Sequence, residues 1–426
     1  MALTITVCAL TCAAVIACVL LKPQLCIRGF KFNTFWIPAL IGGAVILIFR
    51  LPVSEWWHGV TAAGKVNPLK ILTLFVCVTV LSLFLDEAGF FRYLAQVTLK
   101  RAKSAFRLFV LLYLVVSVLT VFTSNDVIIL TFTPFICYFC ARAGLRALPF
   151  LLTEFTAANT WSMALIIGNP TNMYLASDMD FAQYLSVMWL PALFSGLAAF
   201  AVLAVLFRKS LTAPMRPVEA PPVRPDAALC VIGLVHLGAC TVMLAVSSYI
   251  GAEMWIITVI AAASLIVASC AAALVRRKAP RELLHAAARA PYALIPFVLS
   301  MFALVLALEK CGATAAIADI LGKAPPVWAY GITSYLSANL FNNIPMSVLF
   351  ADIISSAPSA AAVYAAVIGS NVGALLTPIG TLAGIMWTGI LGRNGVKFPL
   401  KYFLMYGAAV SVPVLLAALV GLAIIL

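Results

Sequence analysis

The stretch Thr123-Ser124-Asn125-Asp126 interrupts a segment that is otherwise apolar from Leu108 to Cys140. Neither arm, 108–122 or 127–140, carries a charge, and both are shorter than the roughly 20 apolar residues that a helix needs to cross a bilayer. Basic residues flank both ends of the segment, and such residues mark the cytoplasmic side of a membrane. The sequence therefore predicts a re-entrant hairpin over 107–141 that enters from the cytoplasm, breaks at Ser124-Asn125-Asp126 and returns.

The composition places this hairpin in a membrane protein. The 426 residues are 64% hydrophobic and only 10% charged, whereas a soluble domain is roughly 25% charged. The net charge of +13 fits cytoplasmic loops that face anionic lipid, and no soluble basic face is present for a nucleic-acid partner. The first apolar segment, Ala2–Leu21, has no basic region before it, which favours a retained span over a signal peptide.

The predicted class is an all-α polytopic membrane protein with ten full spans and two hairpins. A second hairpin, 326–355, breaks at Asn342-Asn343-Ile344-Pro345. With both termini outside an inner membrane, most of the 27 basic residues fall in cytoplasmic loops. Replacing either hairpin by a true pair of spans would leave this orientation unchanged. The predicted spans are 2–22, 33–50, 66–88, 149–178, 185–207, 227–249, 253–275, 291–309, 360–391 and 400–426.

The segment 208–226 is short, polar and rich in proline, and it reads as a cytoplasmic linker. It separates a first repeat, 1–207, from a second repeat, 227–426. Each repeat holds three spans, a hairpin, a broken span and a final span. Because five spans are an odd number, the second repeat must be inverted relative to the first, as in many secondary transporters. The two hairpins then enter from opposite sides, and their tips are expected to meet near the midplane.

The spans 149–178 and 360–391 are predicted to be broken. The sequences ALIIGNPTN (164–172) and GALLTPIGT (373–381) align without gaps. Proline and glycine inside an apolar span open backbone hydrogen bonds, which leaves N–H and C=O groups free for a polar solute. Hairpins and breaks together supply the predicted substrate-binding residues, namely Ser124, Asn125, Thr171, Asn172, Asn342, Asn343, Asn371, Thr377 and Thr381.

Two acids are candidates for proton coupling. Asp126 opens the second arm of the first hairpin, where the helix N-terminus favours the ionised carboxylate and apolar surroundings oppose it. Glu154 lies in the first broken span, and pairing with Arg146 is one alternative role for it. The other polar groups also have structural alternatives, because Asn and Asp cap helices and adjacent asparagines can form interhelical hydrogen bonds.

Other chemistries are not expected. The chain has no G-x-x-x-x-G-K-[ST] motif for ATP, and its three histidines are scattered. No nucleophile–base pair or metal-ligand cluster is evident, so neither an enzyme nor a metal or cofactor site is predicted. Cys137-Tyr138-Phe139-Cys140 ends an apolar arm and is interpreted as packing.

Three motifs resemble those of ArsB-type arsenite efflux permeases of the ion transporter superfamily. These are TSNDVIILTFTPF (123–135), FNNIPMSVL (341–349) and IGSNVGALLTPIGTLAGIMW (368–387). The resemblance covers both hairpins and both broken spans. GNPTN (168–172) is also similar to NhaD-type sodium/proton antiporters and to divalent carboxylate carriers. The resemblance implies export of arsenite and antimonite, driven by proton exchange or by a soluble ATPase partner, with a homodimer and an elevator-like motion as further expectations.

The sequence therefore predicts an arsenite/antimonite exporter coupled to protons. Neutral As(OH)3 presents three hydroxyls, which match a pocket of amides, hydroxyls and opened backbone. A sodium/proton antiporter would need more carboxylates than Asp126 at its core, and a carboxylate carrier would need a basic residue at the breaks. A simple pore is disfavoured by two matched breaks from opposite sides.

Overall fold

The computed structural model describes residues 2–21, 24–27, 30–61, 67–218 and 223–426. Part of the predicted linker, 219–222, and the basic residues Lys22, Arg28 and Lys65 lie outside the described residues. The prediction of an all-α protein is confirmed, with one addition. A short antiparallel β-hairpin joins the first two helices, and it pairs Gln24 with Asn33 and Ile27 with Phe30.

The elements before the linker are the following: α1 Ala2–Leu21, β1 Gln24–Ile27, β2 Phe30–Asn33, α2 Trp36–Phe49, α3 Val53–Thr61, α4 Pro68–Glu87, α5 Phe90–Arg101, α6 Ala105–Phe122, α7 Asn125–Ala143, α8 Ala147–Trp161, α9 Pro170–Leu175, α10 Phe181–Leu206 and α11 Arg208–Leu211.

The elements after it are α12 Ala227–Ala245, α13 Met254–Val275, α14 Arg281–Arg289, α15 Leu294–Lys310, α16 Ala313–Leu321, α17 Pro326–Phe341, α18 Asn343–Ser356, α19 Ala360–Gly373, α20 Leu382–Arg393 and α21 Leu400–Ile425. Two 3-10 turns, Ser162–Ala164 and Ile166–Gly168, lie between α8 and α9, and a third, Pro378–Gly380, lies between α19 and α20.

Eight helical segments in the described chain are long and apolar enough to cross a membrane: α4, α6, α7, α10, α12, α13, the segment Arg281–Lys310 and α21. The predicted spans 2–22 and 33–50 correspond to the shorter apolar helices Ala2–Cys18 and Trp36–Phe49.

The expectation that both arms of the first hairpin fall short of a span is wrong. Helix α6 has 18 residues and α7 has 19, because both continue beyond the uncharged segment. Ser104 accepts a hydrogen bond from the N–H of Arg107 at 3.2 Å and so caps α6, while Gly144 ends α7 with φ 72°. Long basic side chains such as Arg107 can extend to the membrane interface and leave their helix in lipid.

Burial of the tips, rather than arm length, supports re-entry. Asn125 is 1% exposed and Asn343 is 2% exposed, and both lie at the junction of two helices. A true pair of spans would place its connecting turn at a membrane surface. Here both turns lie inside the protein, beside the two broken spans.

The packing of the helices repeats in the two halves. Helix α6 packs against α8 as α17 packs against α19, and α2 contacts α15 as α13 contacts α4. The second arm of each hairpin also contacts the broken span of the other half, α7 against α20 and α18 against α9. This repetition supports our proposal that 1–207 and 227–426 are inverted repeats joined by 208–226.

The close packing of α19 against α17 explains why two positions in the second broken span are glycine. A Cβ atom on Gly369 would lie 1.9 Å from Ser334 Oγ and 2.4 Å from the Gly331 carbonyl oxygen. A Cβ atom on Gly373 would lie 2.9 Å from the Tyr335 carbonyl oxygen. The absence of side chains lets α19 pack directly against α17, the first arm of the second hairpin.

Candidate functional site

The centre of the candidate site is the buried side chain of Asn371 on α19. Its amide nitrogen donates to Asn172 Oδ1 at 2.7 Å and to the Val367 carbonyl at 2.8 Å. Its amide oxygen accepts from Ser162 Oγ at 2.8 Å and from Asn169 Nδ2 at 3.0 Å. Asn371 therefore joins the broken span of the second half to that of the first, and its hydrogen-bonding capacity is fully used.

The polar residues of the first break hold the opened backbone. Asn172 Nδ2 donates to the carbonyl oxygens of Ser162 at 2.8 Å and Leu165 at 3.0 Å. Asn169 caps α9 by accepting from the N–H of Thr171 at 3.2 Å. These bonds replace the helical ones that Pro170 and the two 3-10 turns remove.

The second break is held in a related way. Thr377 accepts from the N–H of Gly380 at 3.2 Å and donates to Asn339 Oδ1 at 2.7 Å. Thr381 is buried at the N-cap of α20 and makes no side-chain capping bond. Pro170 directly follows the capping residue Asn169, and Pro378 directly follows the capping residue Thr377. The structural correspondence of the two breaks therefore differs by one residue from the gapless sequence alignment. Both breaks are eight residues long, 162–169 and 374–381, although the first holds one more 3-10 turn.

The asparagines at the two hairpin tips make different hydrogen bonds within the protein. Asn125 Nδ2 donates to Asn159 Oδ1 at 3.2 Å, which connects the first tip to α8. Asn342 has φ 73°, accepts from the N–H of Ile344 at 3.3 Å and donates to the Ile379 carbonyl at 2.8 Å. Asn342 therefore shapes the second tip, whereas the side chain of the adjacent Asn343 makes no hydrogen bond within the described residues.

Five serine, threonine and asparagine oxygens of the two tips and the two broken spans are buried without a hydrogen-bond partner among the described residues. They are Ser124 Oγ, Asn125 Oδ1, Thr171 Oγ1, Asn343 Oδ1 and Ser370 Oγ. Each hairpin tip and each broken span contributes at least one. Buried polar groups are normally paired, so these atoms are available to a polar solute. Three aromatic groups of the same spans are also buried without a partner in the described structure: Tyr174 Oη, Tyr364 Oη and Trp387 Nε1. Asn172, Asn342, Asn371 and Thr377 are instead engaged by the protein.

The two predicted proton-coupling acids occupy different environments. Asp126 lies in the first turn of α7, half-buried, and its side chain makes no hydrogen bond or ion pair within the described residues. Glu154 is fully buried in α8, and both of its carboxylate oxygens lie 3.0 Å from Thr133 Oγ1. The alternative pairing of Glu154 with Arg146 is wrong, because eight helical residues separate them by about 12 Å along the axis and Arg146 is exposed.

Three partners of the site were missed by sequence reasoning. Asn339 on α17 donates to the Gly373 carbonyl at 2.9 Å and so holds the end of α19. Thr133 binds Glu154 from the second arm of the first hairpin. Trp387, fully buried and stacked on Phe155 at 4.8 Å, places its indole nitrogen beside the Glu154 carboxylate without completing a hydrogen bond. The tryptophan stands in the quoted motif 368–387, which was the available signal for it.

Few charged side chains are buried in the described part of the protein. Asp86 and Glu154 are buried, and no lysine or arginine is buried in the described part of the chain. Asp86, near the end of α4, accepts hydrogen bonds from Thr131 and Arg289, each at 2.8 Å. Groups of three or more metal-ligating side chains are also absent from the described ranges.

Comparison with known proteins agrees with this architecture. The citrate transporter family (CitMHS) model matches residues 1–366. An arsenical pump membrane protein from Escherichia coli is 28% identical over 93% of this chain and 93% of its own length. Another from Escherichia coli strain K12 is 28% identical over 82% and 85%. The silicon efflux transporter LSI3 of Oryza sativa subsp. japonica is 28% identical over 41% of this chain and 38% of its own length.

A solved structure shares the fold. The YdaH transporter of Alcanivorax borkumensis, whose crystal structure is described as having an unusual topology, covers 99% of this chain and 97% of its own, with a TM-score of 0.58 and 14% sequence identity. The resemblance to ArsB-type permeases is confirmed by the arsenical pump relatives. The chain is an integral membrane transporter, not an enzyme, and belongs to the citrate transporter (CitMHS) family.

Proposed function

We propose that this transporter exports arsenite and antimonite, as neutral trihydroxides, in exchange for protons. The observation that carries the proposal is the set of five buried, unpartnered oxygens on the two tips and the two breaks. All of them belong to amides or hydroxyls. A trihydroxide can donate to each of them and can accept in turn from the hydroxyls.

The charge of the interior supports a neutral solute. Burying a charge without a partner costs several kcal/mol, and the described interior offers no buried lysine or arginine to a carboxylate. One kind of relative is named as an arsenical pump and another as a silicon efflux transporter, and dissolved silicon in neutral water is itself an uncharged hydroxide, Si(OH)4. A shared preference for neutral hydroxides would account for both names.

The coupling groups are proposed to be Asp126 and Glu154. Asp126 is next to Asn125, whose Oδ1 has no hydrogen-bond partner, and no described residue pairs with the Asp126 carboxylate to fix its charge. Glu154 is linked through Thr133 to the same hairpin arm. Protonation of either carboxylate would change the electrostatics of the tip during transport. The soluble ATPase partner and the homodimer stay predictions from the resemblance. The inner-membrane orientation with both termini outside stays a prediction from the distribution of basic residues.

Citrate is a second candidate, because the matching family model is described as a citrate transporter. A tricarboxylate would need cationic partners when it leaves water. The exposed cations of the described chain lie outside the breaks, so the geometry favours the neutral hydroxide.

Uptake into everted vesicles under an imposed pH gradient tests the proposal. Arsenite, antimonite, citrate and sodium are offered in parallel to the wild type and to Asn125→Ala and Asn343→Ala. Loss of one hydrogen bond is expected to weaken arsenite and antimonite transport together by roughly threefold to tenfold. The control is Asn394→Ala, an exposed asparagine that binds only the Ile390 carbonyl of its own helix. Sodium or citrate flux without arsenite flux would contradict the proposal.

A further inference from the structure

A cavity of about 570 Å³ lies at the predicted cytoplasmic end of the second half, away from the hairpin tips. It is bounded by the start of α12, the end of α13 and the start of α14. Its lining includes the basic residues Arg276, Arg277, Lys278 and Arg281. The transport site described above does not use any of them.

Three of these four cations are unpaired. Arg276 binds Asp226 through both carboxylate oxygens, at 2.5 and 3.1 Å, and this pairing lowers the pKa of Asp226. Arg277, Lys278 and Arg281 make no side-chain hydrogen bond or ion pair within the described residues. Glu282 is the other acid of the lining. Among the described residues, the lining therefore holds four basic side chains against two acidic ones, which leaves an excess of positive charge.

The backbone of Arg277 is held in an unfavourable conformation. Helix α13 ends in a motif in which the N–H of Lys278 bonds to the Ala273 carbonyl at 2.9 Å and that of Arg277 to the Leu274 carbonyl at 3.0 Å. The position of Arg277 in this motif is usually glycine, and its φ is 51°. Among described non-glycine residues only Asn342, at the second hairpin tip, shares a positive φ. A residue that is held in an unfavourable backbone conformation often has a functional side chain. We therefore consider a role for the positive charge of Arg277.

Helix α14 begins in the same cavity without a cap. Its N-cap residue, Pro280, offers no side-chain hydrogen bond, and the first N–H groups of a helix have no intrahelical acceptor. Such a terminus favours phosphate oxygens. Arg281, the first residue of this nine-residue helix, lines the cavity beside it.

The surroundings of the cavity are those of a membrane interface. Leu274 and Val275 of α13, one turn or less before the basic loop, are 79% and 84% exposed, and Leu284 on α14 is exposed as well. A free phosphate ion would use the cations and leave these apolar side chains uncovered. A lipid would contact both sets, with its acyl chains along α13.

We propose that this cavity binds the phosphate headgroup of an anionic phospholipid. The phosphate would lie among Arg277, Lys278, Arg281 and the start of α14, and the acyl chains would cover Leu274 and Val275. A lipid held there would fasten the α13–α14 loop to the start of α12, which directly follows the linker. The inference uses the proposed membrane orientation but is independent of the transported solute.

Binding of phosphatidylglycerol to the full-length protein in detergent, followed by native mass spectrometry, tests this inference. The triple variant Arg277→Gln/Lys278→Gln/Arg281→Gln is expected to bind roughly 100-fold more weakly, about fivefold for each cation removed. The matched control is Arg208→Gln/Lys209→Gln, which neutralises exposed basic residues on α11 outside the cavity; it should bind as the wild type does.

A single substitution distinguishes the loss of positive charge from a defect in folding. Arg277→Gly keeps the backbone conformation that the motif requires, so its thermal stability should equal or exceed that of the wild type. Its affinity for phosphatidylglycerol should still fall about fivefold. Equal lipid binding by the triple variant and the wild type would overturn the inference. So would equal binding of neutral phosphatidylcholine, or full displacement of the lipid by millimolar inorganic phosphate, which would identify a soluble anion site.

Discussion

Replacing Asn371 by alanine should destabilise the protein more than any other single change among the predicted binding residues. The substitution removes four hydrogen bonds. Asn172 Oδ1 and Asn169 Nδ2 would then be left buried without a side-chain partner, whereas Ser162 Oγ keeps a bond to the Asn159 carbonyl at 3.1 Å. A buried polar group without a partner costs about 1–3 kcal/mol, so two such groups predict a loss of roughly 2–6 kcal/mol.

The assay is reversible unfolding of the purified protein by sodium dodecyl sulfate in bicelles, with wild type, Asn371→Ala and Asn343→Ala side by side. Asn343→Ala should leave the unfolding free energy nearly unchanged, because the side chain of Asn343 makes no hydrogen bond in the described structure. It should instead lower flux. Normal stability of Asn371→Ala together with weakened arsenite binding would show that Asn371 is a substrate ligand and would refute its role as the structural link.

Four further outcomes are expected. Asp126→Asn should abolish pH-driven flux while keeping the fold, because the Asp126 side chain makes no hydrogen bond or ion pair within the described residues; unchanged pH-driven flux would transfer the proton role to Glu154. Arg289→Gln should destabilise the protein by about 1–3 kcal/mol in the same unfolding assay, since it removes the cationic partner of buried Asp86 but Arg289 is itself partly exposed; full stability would contradict this. Replacing all eleven cysteines by Ala or Ser should preserve arsenite export in vesicles, because no cysteine lies at the breaks; complete loss in a folded, expressed variant would contradict this. In that cysteine-free background, single cysteines at the exposed positions Lys103 and Ala141 should be labelled only from the cytoplasm, and labelling from outside would exclude the hairpin.

The membrane class, the two tips and the two breaks could be predicted because each is a local feature of the sequence. Ser124-Asn125 and Asn342-Asn343 are polar interruptions of apolar segments, and such interruptions need protein or water around them wherever they lie in a membrane. Proline after a capping residue likewise predicts a break from a few neighbouring residues. The arm lengths were misjudged because the absence of charge was taken as the limit of the helix.

The sequence could not show which polar residues of the site bind one another and which are left without a partner. Asn371 and Asn169 lie 202 residues apart, and only the fold shows that they bind each other and leave Asn343 free. The alternative pairing of Glu154 with Arg146 is wrong for the same reason, since its partner Thr133 comes from another helix. Hydrogen bonds between distant residues depend on packing, whereas caps and breaks depend on adjacent residues.

Counterflow in proteoliposomes tests the neutral-hydroxide site most directly, because it requires neither a pH gradient nor an ATPase. Vesicles containing the purified protein are loaded with unlabelled arsenite, and entry of radiolabelled arsenite is followed. Rapid entry that is inhibited by antimonite, unaffected by citrate or sodium, and slowed roughly threefold to tenfold in Asn343→Ala is the predicted result. Counterflow of citrate in citrate-loaded vesicles, with none of arsenite in arsenite-loaded ones, would contradict it.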